Sequence, residues 1–213
     1  MLDLDGTLYH QLPLRVAMAA ELAWSAARGD IDATGISILR KFRKHREVLA
    51  GLTIRDAAWR QYADVAKAAG VTEDTVARIV QEWMFQRPLK HLHLAAIGSA
   101  RRFIDAARTC GMKIGVLSDY PPEDKLRRLG ICVDACHCTL DMPSSVLKPH
   151  PGPLIDLLHI FEVAPEATLV VGDREDRDGA MAHAAGCPFV LARGSRTFTE
   201  LHATLLGQVH HAR

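Results

Sequence analysis

MLDLDGTLYH, residues 1–10, places two carboxylates directly behind a short apolar start. Asp3 and Asp5 are two residues apart, and Gly6 and Thr7 follow at once. An Asp-x-Asp-Gly run on its own fits two kinds of site, a turn or calcium-like loop and an acidic catalytic site. The choice between them depends on which other segments of the chain reach the same place in the fold.

Residues 99–213 alternate between short apolar runs and helical patterns. Two of the helical patterns end at Gly111 and Gly130, and glycine is a common residue at helix ends. The apolar runs are KIGVLSD (residues 113–119), VDACHCTL (133–140), TLVVGD (168–173) and CPFVLAR (187–193). This alternation predicts a parallel sheet with helices on both faces. Residues 1–4 are interpreted as one further strand, cut short.

Residues 12–94 have a different pattern, rich in Ala, Arg and Leu, and no strand is predicted there. Apolar residues recur every three or four positions, which is typical of a helix. One such series is Ile54, Ala58, Tyr62, Val65 and Ala69. Gly70 then ends this helix, and Thr72 is a candidate N-cap for the next. We therefore predict an α/β fold, a doubly wound parallel sheet formed by residues 1–11 and 95–213, with an inserted all-helical cap over residues 12–94.

Chemically active side chains follow several of the predicted strands. In open parallel sheets, ligands bind beyond the carboxyl ends of the strands. The residues that this rule brings together are Asp3, Asp5, Ser118, Asp119, Lys148, Asp173, Asp176 and Asp178. Carboxylates from different segments form a hard oxygen site that suits Mg²⁺, and a lysine and a serine hydroxyl can hold phosphoryl oxygens. The pattern therefore favours phosphoryl transfer at one edge of the sheet.

Four short motifs occur in a fixed order along the chain. They are DLDGT (residues 3–7), LSD (117–119), KP (148–149) and GDREDRDG (172–179). In sequence, spacing and helix–strand alternation they resemble the four motifs of the haloacid dehalogenase superfamily. The resemblance covers nearly the whole chain. It implies a helical cap of the type that closes over the substrate and selects it.

The resemblance also implies a role for each matching residue. Asp3 would be the nucleophile, Asp5 the general acid and base, and Ser118 and Lys148 would bind the phosphoryl group. The implied Mg²⁺ ligands are Asp3, Asp5 through its backbone carbonyl, and Asp173, with Asp178 orienting the metal's water shell or Lys148. The predicted substrate-binding set is Gly6, Thr7, Ser118, Asp119 and Lys148. Asp119 has two interpretations, a helix start and a site residue, and Asp176 is interpreted as a first-turn helix acid.

Asp5 distinguishes two branches of the superfamily. Members that break carbon–halogen bonds lack this second aspartate and need no metal, whereas phosphatases and phosphomutases with a helical cap have it. The resemblance thus implies a Mg²⁺-dependent phosphatase that acts on a small phosphorylated metabolite. A phosphomutase or other phosphotransferase is the nearest alternative. A catalytically weak binding or regulatory module is the alternative from another class.

Three departures from the family pattern stand out. Only Met1 and Leu2 precede Asp3, where four or five apolar residues are usual, and we expect that the natural chain begins a few apolar residues earlier. The second motif has Ser118-Asp119 in place of Ser-Asn or Thr-Asn. No glycine directly precedes the Lys148 loop.

Composition narrows the possible partners. The 26 Lys and Arg nearly balance the 25 Asp and Glu, which gives no general attraction to nucleic acid or to an anionic membrane. No apolar run reaches about 18 residues, and the five cysteines fit a reducing compartment, so a cytoplasmic location is predicted. The cysteines of VDACHCTL are interpreted as small apolar strand residues rather than metal ligands.

The basic run of residues 40–46 is either a solvated helix face or a surface that meets an anionic substrate. The oligomeric state is not indicated.

Overall fold

The computed structural model describes residues 1–50 and 57–211, and its first half is helical. The helices between residues 11 and 94 are α1 (Gln11–Ala27), α2 (Ala33–Leu49), α3 (Ala57–Ala69), α4 (Glu73–Val80) and α5 (Pro88–His91), with a π-helical turn at Gln81–Gln86 and a 3₁₀ turn at Leu92–Leu94. Asp32 caps α2 by accepting the Gly35 amide at 2.7 Å. The predicted cap of α4 is confirmed, because Thr72 accepts the Thr75 amide. Of the predicted helical series, Ile54 lies outside the described residues.

The remaining elements alternate between strand and helix as predicted. In chain order they are α6 (Gly98–Thr109), β1 (Gly115–Ser118), α7 (Glu123–Leu129), β2 (Ala135–Cys138), α8 (Gly152–Phe161), β3 (Val170–Gly172), α9 (Ala180–Ala184), β4 (Phe189–Leu191) and α10 (Ser195–His211). A π-helical turn at Glu175–Gly179 follows β3, and 3₁₀ turns lie at Thr139–Asp141 and Pro165–Ala167. Gly130 ends α7 in the left-handed conformation at φ 65°.

The sheet is parallel and is held together at its centre by the start of the chain. β1 pairs with β2, and β3 pairs with β4. Leu2 forms parallel bridges to Val116 of β1 and to Val171 of β3, which gives the spatial order β4, β3, residues 1–3, β1, β2. The Leu2 amide donates to the Gly115 carbonyl at 2.8 Å and the Asp3 amide to the Val171 carbonyl at 2.9 Å. The shortened first strand therefore occupies the central position.

Both faces of the sheet are covered, so the prediction of a doubly wound α/β fold is confirmed. Successive residues of a strand point to opposite faces. Val116 packs with Phe103 and Phe198 of α6 and α10, and its neighbour Leu117 packs with Leu157 of α8. The five cysteines, which all lie in the described ranges, are free thiols.

The helical insert has an apolar core of its own. Residues of α2, α3, α4 and the π-helical turn form it, among them Phe42, Val65, Val80 and Trp83. Burial of such side chains stabilises a fold by about 1.5–3 kcal/mol each, so the insert is held together independently of the sheet's core. In the described ranges, no helix combines the length and apolar character needed to cross a membrane.

Candidate active site

A cavity of about 680 Å³ lies between the carboxyl edge of the sheet and the helices α1 and α2. The sheet places Asp3 at the end of its central segment, Ser118 at the end of β1 and Asp173 after β3. Because the strands are parallel, these ends meet at one edge. The predicted residues that line the cavity are Asp3, Asp5, Ser118, Asp119, Lys148, Asp173 and Asp178.

Lys148 is the centre of a buried charge cluster. Its ammonium group donates to Asp3 Oδ1 and to Asp178 Oδ1, both at 2.7 Å. The second Asp3 oxygen, Oδ2, accepts from the buried Thr7 hydroxyl at 2.9 Å. Buried charges need such partners, since an unpaired one costs several kcal/mol. Lys148 and Thr7 therefore fix the orientation of the Asp3 carboxylate.

Burial and neighbouring charges shift the ionisation of this cluster. Burial raises the pKa of Asp3 to about 7; Lys148 opposes this shift and Asp178 adds to it. Burial also raises the pKa of Asp173 to about 6, with Asp178 contributing next. For Lys148, burial alone would lower the pKa, but Asp3 and Asp178 outweigh it and raise the pKa above its ordinary value. Lys148 thus stays protonated beside two carboxyl groups at neutral pH.

Three carboxylates of the cluster fit a divalent cation. One oxygen from each of Asp3, Asp173 and Asp178 lies within 4.8 Å of the others. In proteins, Mg²⁺ binds a few carboxylate oxygens, and water molecules complete its coordination shell. The backbone oxygen of Asp5, also a predicted ligand, accepts a hydrogen bond from Gln11 Nε2 at 2.5 Å. We name Asp3, Lys148, Asp173 and Asp178 together the carboxylate–lysine cluster.

The Asp5 carboxylate is held by two residues that the sequence analysis did not select. Lys125 Nζ of α7 donates to Asp5 Oδ1 at 2.5 Å, and the Tyr9 hydroxyl donates to the same oxygen. Burial, followed by the charge of Asp5, raises the pKa of Tyr9 well above its ordinary value, which keeps this donor protonated. The sequence offers one signal for Lys125. Its helix, α7, comes directly after β1, and a helix that follows a parallel strand begins at the binding edge of the sheet.

Ser118 ends β1, and Asp119 directly after it holds the loop of Lys148. Ser118 is buried, and its hydroxyl accepts the Tyr120 amide at 3.2 Å. Asp119 accepts the Thr139 hydroxyl at 2.9 Å and the Lys148 amide at 3.3 Å. It does not cap α7, which begins at Glu123 after Pro122. The substrate contacts predicted for both residues remain predictions.

Arg177 pairs with Asp119, the acidic residue that the second motif has in place of asparagine. Its guanidinium lies 3.3 Å from Asp119 Oδ2 and also pairs with Glu47 of α2. Arg46, the neighbour of Glu47, donates to the Asp119 carbonyl at 3.0 Å and lies over the Tyr120 ring at 4.7 Å. Charged contacts at Asp119 therefore connect the helical insert to the sheet edge. Asp176, by contrast, is exposed and pairs with Arg174.

Gly6 is expected to tolerate no side chain. Its φ is +106°, and a Cβ atom there would lie 2.0 Å from Asp173 Oδ2 and 2.8 Å from Gln11 Nε2. Gly6→Ala should lower the free energy of unfolding by more than the roughly 1–2 kcal/mol of backbone strain alone, as measured by urea denaturation. Gly70→Ala is the matched control, since φ is +68° and nothing lies within 4 Å of its Cβ. Equal losses in the two variants would contradict this packing at Asp173.

A comparison with protein families identifies the chain. The model of the haloacid dehalogenase-like hydrolases matches residues 1–186, a range that contains the whole carboxylate–lysine cluster. The chain belongs to the haloacid dehalogenase-like hydrolases. The resemblance found in the four motifs is thereby confirmed. A search of curated proteins gives no significant match.

Solved structures of several haloacid dehalogenase-like proteins share the fold of this hydrolase. A 2-haloacid dehalogenase from Pseudomonas syringae pv. Tomato DC3000 is 22% identical, with a TM-score of 0.59 over 89% of this chain and 84% of that one. A HAD phosphatase from Thermococcus onnurineus is 17% identical, with a TM-score of 0.59 over 89% and 83%. The HAD-hydrolase YfnB from Bacillus subtilis, bound to magnesium, is 16% identical, with a TM-score of 0.59 over 89% and 86%. These identities establish the fold alone, so the reaction of this hydrolase has to be argued from its own site.

Proposed function

We propose that the protein is a Mg²⁺-dependent phosphatase that hydrolyses a small phosphorylated metabolite through a phospho-aspartyl intermediate on Asp3. The observation that carries the proposal is a second carboxylate in the same cavity. Asp5 is held by Lys125 and Tyr9 beside the cluster that orients Asp3. A nucleophile paired with an acid–base group is what a two-step transfer requires. The helices of residues 12–94 would form the cap over this site.

In the first step, an Asp3 oxygen attacks phosphorus and the bond from phosphorus to the alcohol oxygen breaks. Asp5, protonated at this stage, gives its proton to the departing alkoxide, and an acyl-phosphate remains on Asp3. In the second step, Asp5 removes a proton from water, and the water oxygen attacks phosphorus. The bond from phosphorus to Asp3 breaks, inorganic phosphate leaves, and Asp5 is again protonated.

The other groups of the site would offset negative charge on the nucleophile and on the phosphoryl oxygens during both steps. The Lys148 ammonium, 2.7 Å from Asp3, offsets negative charge on the nucleophile and on the phosphoryl oxygens. The buried Ser118 hydroxyl lies at the same edge and would donate to a phosphoryl oxygen. Mg²⁺ held by Asp3, Asp173 and Asp178 would supply further positive charge there. Lys148 and Thr7 already hold the Asp3 carboxylate in position, so the nucleophile needs little reorganisation.

Two related reactions share the fold and much of this chemistry. A phosphotransferase would pass the phosphoryl group from Asp3 to a second substrate instead of water, and the choice depends on how well the cap excludes water. A dehalogenase would form an ester on Asp3 and would have no use for a second acid. The Asp5 carboxylate, with its two donors inside the cavity, therefore favours phosphate monoesters over haloacids.

The proposal predicts Mg²⁺-dependent release of phosphate from p-nitrophenyl phosphate. We expect turnover with Mg²⁺ and its loss in excess chelator, because Mg²⁺ held by Asp3, Asp173 and Asp178 would supply positive charge at the phosphoryl group beyond that of Lys148. Phosphate and nitrophenol are measured in parallel, so transfer to an added alcohol would appear as nitrophenol in excess of phosphate. Halide release from 2-chloropropionate is measured on the same preparation. Halide without phosphate would refute the phosphatase reaction.

A further inference from the structure

Two helices that line the cavity are each anchored near the reaction centre at one end, α1 at its first residue and α2 in its last turn. On α1, Gln11 donates to the Asp5 carbonyl at 2.5 Å. On α2, Glu47 pairs with Arg177 and lies 3.6 Å from Arg174. The first turn of α1 and the last turn of α2 therefore mark one level beside the reaction centre, and residues farther along either helix lie farther from it.

A basic layer lies one to two helical turns above this level. Arg15 is four residues from Gln11, and Arg43 is four residues from Glu47, which is about 6 Å along each axis at about 1.5 Å per residue. Lys44 lies slightly lower and Arg40 slightly higher on α2, and all four cations line the cavity. Apolar side chains form other parts of the cavity wall, among them Met18, Leu22, Ile36 and Trp83.

The α2 cations of this layer have no acidic partner. Within residues 1–50 and 57–211, no carboxylate lies within ion-pair distance of Arg40, Arg43 or Lys44. Other basic residues of α2 are engaged elsewhere: Lys41 donates to the Ala68 carbonyl at 2.6 Å, and His45 contacts Asp64 at 3.0 Å. Arg40, Arg43 and Lys44 thus differ from Lys41, His45 and Arg46 in having their charge available to a ligand.

We propose that the substrate carries a second anionic group, a carboxylate or a second phosphate, which Arg43 binds together with Arg15, Arg40 and Lys44. This inference rests on the proposed function, because it takes the scissile phosphoryl group to lie at Asp3. The second anion would stand about one helical turn, or about 5–6 Å, above that group. The apolar parts of the cavity wall would receive an uncharged end of the substrate.

The inference predicts that a second anion raises kcat/KM and that Arg43→Gln reduces this preference. Phenyl phosphate is compared with 4-carboxyphenyl phosphate and with 1,4-phenylene bisphosphate, in which a rigid ring separates the two groups. A charge-assisted hydrogen bond is worth about tenfold or more in affinity, so the preference should fall about tenfold in the variant. Comparison of the carboxylated compound with the bisphosphate distinguishes a carboxylate site from a phosphate site.

The matched control is Arg78→Gln, which removes the same charge from an exposed position on α4 away from the cavity. It should leave the preference unchanged. If Arg43→Gln and Arg78→Gln act alike, or if wild type shows no preference for a second anion, the inference is wrong.

A binding measurement separates this inference from the proposed reaction. Phenylphosphonate and 4-carboxyphenylphosphonate cannot be hydrolysed, and calorimetry gives their affinities in the presence of Mg²⁺. Tighter binding of the carboxylated compound, reduced by Arg43→Gln, would support the anion site even if no phosphate ester were turned over. Equal affinities, or no binding of either compound, would overturn it.

Discussion

Replacing Asp3 with asparagine is expected to abolish phosphate release. The variant keeps the shape of the side chain but removes the nucleophilic oxygen, and loss of a nucleophile costs on the order of 10⁴-fold or more in kcat. Lys148 retains its 2.7 Å contact to Asp178, so the cluster keeps one ion pair. The measurement is phosphate release from p-nitrophenyl phosphate with Mg²⁺, followed over long incubation to detect residual turnover.

Asp3→Asn should unfold at the same temperature as wild type or a higher one at pH 8. Burial raises the folded-state pKa of Asp3 from 3.8 to about 7, so at pH 8 the ionised side chain costs the folded state stability, and asparagine removes this cost. Asp176→Asn makes the same change at an exposed carboxylate and should leave turnover intact. Activity of Asp3→Asn within tenfold of wild type would exclude Asp3 as nucleophile. In wild type, a mass increase of one phosphoryl group on the Asp3 peptide would be direct support.

Lys148→Met is expected to lower both activity and stability. The substitution preserves length but leaves Asp3 and Asp178 buried without their cation. Removal of one partner from a buried ion pair typically costs about 3–5 kcal/mol. Urea denaturation should therefore show a loss of this size at pH 8, together with loss of phosphate release.

The loss in Lys148→Met should depend on pH. Without the ammonium group the pKa of Asp3 rises beyond the value of about 7 that it has in wild type, whereas in the unfolded chain it stays near 3.8. The folded variant then binds protons that the unfolded chain releases, so its stability falls as pH rises from about 4 to beyond 7, whereas the corresponding fall in wild type ends near pH 7. The deficit relative to wild type should be smaller at pH 5 than at pH 8.

Lys113→Met is the control for this pH dependence. Lys113 is exposed and donates to the Phe161 carbonyl, with no buried carboxylate beside it. Its removal should cost about 1 kcal/mol or less at both pH values. A deficit in Lys148→Met that stays constant between pH 5 and pH 8 would contradict the charge cluster described for Asp3.

The alternation of strands and helices along the chain and the convergence of Asp3, Ser118 and Asp173 could be predicted from sequence for one reason. Each follows a recognisable apolar run, and parallel strands end at a common edge. The short first strand was nevertheless hard to interpret, because two residues carry little periodicity. Its central place depends on hydrogen bonds from Leu2 and Asp3 to two distant strands, which no local pattern encodes.

The partners of Asp5 and Asp119 could not be predicted because they depend on packing between elements. In the sequence, Lys125 is one of several charged residues in the helical pattern that ends at Gly130. Its contact with Asp5 depends on where α7 packs in the fold. Arg177 lies inside the fourth motif, yet its pairing with both Asp119 and Glu47 depends on how α2 rests on the sheet edge. Helical periodicity identifies a buried face but does not state what that face will contact.

The central position of residues 1–3 has a consequence for biosynthesis. Asp3 and Lys148 lie 145 residues apart in the chain, and the Asp3 amide is bonded to Val171. On a ribosome residues 1–3 emerge long before Lys148 and Val171 and have no partners until those residues have been made, whereas the buried core of the helical insert, between Ile31 and Trp83, can pack much earlier. Contacts this distant in sequence slow folding and favour intermediates. A nascent chain truncated before Val171 would carry the nucleophile in an unformed site, and so the catalytic centre would be among the last parts of the molecule to assemble.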